Sequence, residues 1–257
     1  MKKKNYLLEL ACGTAEDALA AAAGGADRVE LCSAMFLGGL TPSIGAVDWV
    51  RENSNIEIFA MLRPRAASFS YSEDDYQTIK RDAKNFLDHG VSGLVLGFLT
   101  ADNRLDLTRL KDFRQSFPED KLVCHRAFDI VVDWREAMEE LIELGFVRIL
   151  TSGQAPNVLM GKERICEMVE AAAGRIEIMP GGGLKAHNID EIIRDCKVHS
   201  VHMNLRRQVH DPSGDDTRGI HFGGALYPAE NLYDVIDSDQ VAAIRAHLDS
   251  GPSDLLS

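Results

Sequence analysis

The chain has 257 residues, 26% of them charged, with a formal net charge of -12 and an isoelectric point near 5.1. A chain this acidic is a poor partner for nucleic acid or for an anionic membrane surface, so neither is expected to bind it. Its one basic run, Lys2 to Lys4, meets Tyr6-Leu7-Leu8-Glu9-Leu10 instead of a long apolar core, and no segment approaches the roughly 20 apolar residues of a membrane span; a cytoplasmic protein is the expectation.

From Tyr6 onward a short run rich in Val, Ile and Leu is repeatedly followed by a polar or glycine-bearing loop and an amphipathic stretch. In chain order the runs read as strands are Tyr6 to Leu10, Arg28 to Leu31, Ile56 to Leu62, Gly93 to Leu96, Leu122 to His125, Val147 to Leu150, Arg175 to Met179 and His199 to Met203. Near-continuous hydrophobicity over so few residues suits parallel strands covered on both faces. The helices predicted between them are Ala15 to Ala23, Ile44 to Glu52, Asp74 to His89, Leu107 to Ser116, Trp134 to Leu144, Val158 to Ala173 and Ile189 to Asp195, with Gln240 to Leu248 last. Glycines stand just past two of the helix ends, at His89-Gly90 and Leu144-Gly145. This alternation describes an α/β chain folded as a single-domain (β/α)8 barrel over residues 1–257. A doubly wound open sheet uses the same units but opens with a glycine fingerprint, whereas the first loop here, Ala11-Cys12-Gly13-Thr14-Ala15, has one glycine. No nucleotide cofactor is therefore indicated. Residues 204–238 break the rhythm and read as an irregular long loop serving as a lid, an oligomer contact or a mobile segment. The five cysteines are scattered, without a CxxC pair, and read as free thiols.

A barrel of this kind carries its site on the loops at the C-terminal ends of its strands, and polar residues collect there. Alternation along a strand sets Glu9 opposite Leu8 and Leu10, and Glu30 opposite Val29 and Leu31, so both acids and Cys32 point into the mouth; His125 faces in beside Val123 while Cys124 faces the helices. His125 is the candidate for proton transfer, with Asp129 to orient it and Glu9 or Glu30 as further acid/base groups. Arg63 and Arg65 flank the stiff Pro64 and can present two guanidinium forks to one carboxylate or phosphate; the ordinary alternative is that they pair with Glu9 or Glu30. Arg126, Thr151 and Ser152 extend this polar rim, and Gly181, Gly182 and Gly183 before a predicted helix resemble an anion cradle. There is no HExxH, GxSxG or P-loop motif, and no lysine ends a strand as a Schiff-base aldolase requires, Lys185 beyond the glycines excepted.

Five motifs in order, GADRVELCSAMFLGGLTPSIG, RPR with Tyr71-Ser72 beyond it, HRAFD, RILTSGQ and IMPGGG, make the chain resemble the CutC family from about Tyr6 to Asn188. The resemblance implies a cytoplasmic copper homeostasis protein, a TIM barrel forming homo-oligomers, with Cu(I) bound by thiols near the strand ends. Cys32 matches the cysteine of the family's Glu-Leu-Cys motif, and Arg63, Arg65, His125, Arg126 and Asp129 match as well. Three places depart: Ala11 stands where the family often has a cysteine, with the thiol displaced to Cys12; Ala66-Ala67-Ser68 replaces Gly-Gly-Asp after RPR; and His202-Met203-Asn204 ends the eighth strand. Strand parity turns Cys12 away from the mouth, so copper binding is expected to be weak or to rely on Cys32 alone. The alternative function is an enzyme acting on a small anionic or phosphorylated metabolite by acid/base chemistry at the barrel mouth.

Overall fold

Strands that are apolar on both faces need backbone partners on both edges, and a parallel sheet meets that demand by closing on itself. The computed structural model describes residues 6–215, 218–220, 222 and 229–251. Its parallel strands are β1 (Leu7–Cys12), β2 (Arg28–Leu31), β3 (Glu57–Met61), β4 (Gly93–Leu96), β5 (Leu122–Cys124), β6 (Arg148–Thr151), β7 (Glu177–Pro180) and β8 (Ser200–Met203). They lie side by side in the order β7-β6-β5-β4-β3-β2-β1-β8, and a bridge between Gly181 and His202 joins the two ends. Neighbours in sequence are thus neighbours in space all the way round. A doubly wound sheet would instead reverse direction part-way, so the expected (β/α)8 barrel is the fold.

The outer layer is α1 (Ala15–Ala23), α2 (Ile44–Asn53), α3 (Glu73–Asp88), α4 (Leu107–Ser116), α5 (Trp134–Glu143), α6 (Lys162–Ala172), α7 (Ile189–Cys196) and α8 (Ser238–Ser250). Side-chain caps fix where many of them begin. Thr14, Ser43, Asp106, Asp133 and Asp237 each accept a first-turn backbone N–H, and Ser72 forms a reciprocal capping box with Asp75. The predicted and observed helices agree closely except at α6. There Asn157 accepts the backbone N–H groups of Leu159 and Met160, holding a turn where the sequence reads as helix from Val158.

Leu8, Leu10 and Cys12 of β1 face the helices in the main core, while Cys32, Phe59, Met61, Val95 and Val123 form a separate cluster inside the barrel. Two expectations need correction. The cysteines are not all free: Cys166 of α6 and Cys196 at the end of α7 form a disulfide, because those helices pack side by side and bring the two Cα atoms to 4.3 Å. Cys12, Cys32 and Cys124 are buried free thiols. The segment read as irregular contains an antiparallel hairpin, β9 (Arg206–His210) with β10 (Leu232–Ile236). Buried Asp17 ties that hairpin to the barrel, accepting from the backbone of Gly13 at 2.8 Å and Ile236 at 2.7 Å and facing Arg206 at 3.3 Å. Residues 216, 217, 221 and 223–228 of the same segment lie outside the described residues. No helix among the described residues is long and apolar enough to cross a membrane.

Candidate functional site

The inward side chains of β1, β2, β6 and β8 meet around Glu9. In register, Glu9 stands beside Arg28 on one side and His202 on the other. Its carboxylate accepts from Arg28 Nε, from Arg148 Nη1 at 3.4 Å and from His202 Nδ1 at 2.7 Å. Burial alone would push this carboxyl up; the bond to His202 and the charges of Arg28 and Arg148 outweigh burial and hold it down at about 2. Glu177 lies beneath, 2.7 Å from Arg148 Nε and 3.4 Å from Arg28 Nη2. Glu9 is therefore held as an anion within an ion cluster of Arg28, Arg148, Glu177 and His202.

One step toward the mouth, Glu30 sits 3.9 Å from His202 Nε2 and 3.7 Å from the Cys32 thiol. Burial raises its carboxyl above the ordinary value, against the pull of His202. For His202 the balance runs the other way: burial disfavours the imidazolium, and the charges of Glu30 and Glu9 overcome it. Both groups are thus raised, Glu30 by its burial and His202 by its two carboxylate neighbours, so each holds its proton to higher pH than the free side chain does. Glu9, Glu30 and His202 also present three ligand atoms within 4.8 Å of one another, a set that can hold a metal ion.

His125 follows the last residue of β5 with its ring inside, as alternation predicts, and is only 3% exposed. Its Nδ1 accepts the backbone N–H of Ala127 at 3.2 Å, and its Nε2 is buried with no partner among the described residues. Phe69 packs on the ring with centroids 4.7 Å apart. Gly97 leaves the ring its place, since a Cβ there would lie 2.7 Å from His125 Cε1. Burial, reinforced by the Arg63 charge, lowers this imidazole to about 3. His125 is consequently neutral at physiological pH, with one ring nitrogen able to donate a hydrogen bond.

Arg63, His125, Arg126, Lys185, Glu30 and His202 line one cavity of about 370 Å³ at the C-terminal mouth. Arg63 is 8% exposed and donates to the carbonyls of Leu37, Gly39 and Ala67. Arg65 does not join it. The chain turns after Pro64, and Arg65 pairs with Asp75 at 2.9 Å and lies over Tyr71 on the flank of α3. Neither arginine reaches Glu9 or Glu30.

Asp129 is also placed elsewhere than expected. The short helical turn Arg126–Ile130 carries it away from His125 toward the end of β6, where it accepts from Thr151 Oγ1 at 2.5 Å and from Ser152 N at 3.0 Å. Thr151 and Ser152 are spent on that knot and do not line the cavity. The knot nonetheless aims Arg126: its Nε donates to Asp129 at 2.7 Å and its Nη2 to Ser152 Oγ at 2.6 Å. Its remaining Nη1 lies over Gly182, within 3.1 Å of where a Cβ would stand. Gly182 and Gly183 line the cavity at φ +97° and +90°, backbone only glycine adopts readily, while Gly181 sits behind them in the seam with β8.

Arg28, Arg148 and His202 are site residues that the sequence reading missed. Arg28 shares the inward parity of Glu30, and His202 stands beside Glu9 only once the barrel closes.

Residues 6–206 match the model of the CutC family. The chain belongs to the CutC family. A family protein CutC of Treponema denticola is 43% identical over 94% of this chain and 98% of its own length. A human protein named copper homeostasis protein cutC homolog is 34% identical over 94% of this chain and 88% of its own. The crystal structure named for CutC of Streptococcus agalactiae superposes with a TM-score of 0.73 at 30% identity, covering 77% of this chain and 97% of that one. Phosphoribosylanthranilate isomerase of Thermotoga maritima, with a TM-score of 0.53 at 14% identity over 96% of this chain and 99% of that one, shares the fold alone.

In this CutC chain a two-thiol Cu(I) site does not fit. Cys12 lies among the core residues facing the helices, with its Sγ 3.6 Å from the Leu10 carbonyl, while Cys32 lies inside the barrel. Burial first, then neighbouring carboxylates, raise both thiols well above their usual value in the metal-free chain.

Proposed function

We propose that the chain binds a small anionic metabolite in the barrel mouth and moves a proton on it, with Glu30 and His202 as the acid/base pair. The carrying observation is Arg63. A buried guanidinium needs a counter-charge, yet its hydrogen bonds run to three carbonyls, its Nε has no partner, and no carboxylate pairs with it among the described residues. Arg126 Nη1, exposed Lys185 and the glycine turn line the same cavity, so an anion entering there meets positive charge on two sides. The test is a thermal-shift titration with inorganic phosphate and phosphorylated metabolites, because binding to the folded state raises its melting temperature. Stabilisation by phosphorylated compounds that is weakened in both Arg63→Met and Arg126→Gln supports the reading; no stabilisation by any anion overturns it.

A second reading, Cu(I) binding in a cytoplasmic homo-oligomer, is favoured by the name of the human relative and by the thioethers of Met35 and Met61 in the same cavity. Thioethers are soft donors that need no deprotonation. The Cys166–Cys196 disulfide weighs against a reducing compartment. Titration of Cu(I) against a competing chelator decides it. Tight stoichiometric binding lost in the double variant Met35→Leu, Met61→Leu supports copper, and chelator-limited binding excludes it.

A further inference from the structure

Resting on the anion pocket proposed above, we infer that His125 is a fixed neutral donor in it. Its Nε2–H donates to a carbonyl or carboxylate oxygen of the ligand, which makes the ligand class a small anion with a carbonyl group beside its anionic end.

A neutral imidazole has one donor nitrogen and one acceptor. The Ala127 backbone N–H occupies the Nδ1 lone pair, so the ring proton resides on Nε2. That N–H is buried against the cavity and meets no acceptor among the described residues. An unsatisfied buried donor is costly, and a ligand oxygen placed there removes the cost. The ring has little freedom to find another partner: Phe69 covers one side, and the space left by Gly97 receives its Cε1 edge. Arg63 is the charged group bearing on it, and its positive charge opposes a second ring proton.

The division of labour follows from the chemistry of each donor. The permanent anionic group belongs with the cations, and Arg126 and Lys185 stand on the glycine-turn side of the cavity. A neutral N–H competes poorly with them for that group. It is better matched to an oxygen that is polar in the resting ligand and gains charge as a neighbouring carbon loses a proton. Glu30 and His202 line the same cavity and are the groups disposed to take that proton.

The test uses the full chain labelled with 15N-histidine and two probes, inorganic phosphate and 2-phosphoglycolate, which adds a carboxylate to the phosphate. Long-range proton–nitrogen spectra are expected to show His125 in the Nε2–H form without titration from pH 5 to pH 8. Added 2-phosphoglycolate should move its Nε2–H proton downfield, and His125→Ala should weaken 2-phosphoglycolate about tenfold with phosphate binding unchanged. A His125 that titrates in this range overturns the inference. So does phosphate binding to the wild type with 2-phosphoglycolate no tighter and the His125 proton unmoved; the anion pocket then survives alone. If neither probe binds the wild type, the pocket reading fails first. Should His125→Ala fail to fold, the wild-type spectra still decide between these outcomes.

Discussion

Replacing His125 with glutamine should flatten the acid side of the stability curve. In the folded chain this imidazole is lowered to about 3, against the ordinary 6.5. The unfolded chain therefore takes up a proton below pH 6.5 that the folded chain refuses, so the stability is fully present above pH 6.5 and is lost as pH falls toward 3. One proton of difference removes about 1.4 kcal/mol per pH unit, or about 2.5 kcal/mol between pH 7.5 and pH 4.5. Glutamine cannot titrate. The loss of ring packing against Phe69 shifts its whole curve by a constant, while the carboxylates and His202 contribute alike to both chains. Urea unfolding of the two chains at pH 7.5, 6.5, 5.5 and 4.5 should give free energies that converge by that amount toward acid. Parallel curves would refute the reasoning, since they would mean that His125 protonates as freely folded as unfolded.

Gly97→Ala should cost about 1 to 3 kcal/mol and disturb the His125 signals, because the new methyl would stand 2.7 Å from His125 Cε1 and 2.9 Å from Ala127 Cβ; an unchanged melting temperature and spectrum would count against it. Cys166→Ser should lower stability by roughly 3 kcal/mol in oxidising buffer, from the entropy of closing a loop between partners 30 residues apart; an unaltered urea midpoint would show that the bridge does not form. Cys12, Cys32 and Cys124 should resist a disulfide reagent in the native chain and react together on unfolding, being buried with raised thiols. Rapid native labelling of Cys12 or Cys32 would reopen a thiol metal site.

Much of this architecture is written locally. Helix starts follow from Thr14, Ser72 or Asp133 at the caps, and the inward direction of Glu30, Cys32 and His125 follows from alternation alone. What stays hidden depends on contacts the chain makes only when closed or turned. His202 meets Glu9 across the β1–β8 junction, separated by 193 residues. Arg28 and Arg148 stand where an apolar strand would put aliphatics, and only the buried carboxylate of Glu9 and the half-buried one of Glu177 explain them. Asp129, four residues past His125, looks like its partner until the intervening turn delivers it to β6. Arg63 and Arg65 part company because alternation ends with the strand and a turning loop obeys no period.

The junction of β7 with β8 has a consequence for access. Every other neighbouring pair of strands shares a ladder, whereas these two share the bridge from Gly181 to His202. A Cβ on Gly181 would stand 2.5 Å from Leu150 Cδ1, so a larger residue there would have to displace that leucine. The barrel thus has a parting line, and it runs between the glycine turn and the histidine that serves Glu30. Backbone amides along it should exchange with solvent sooner than those of β1 to β5. A ligand wedged across it would act as a keystone, stitching shut the part of the wall that its own departure loosens.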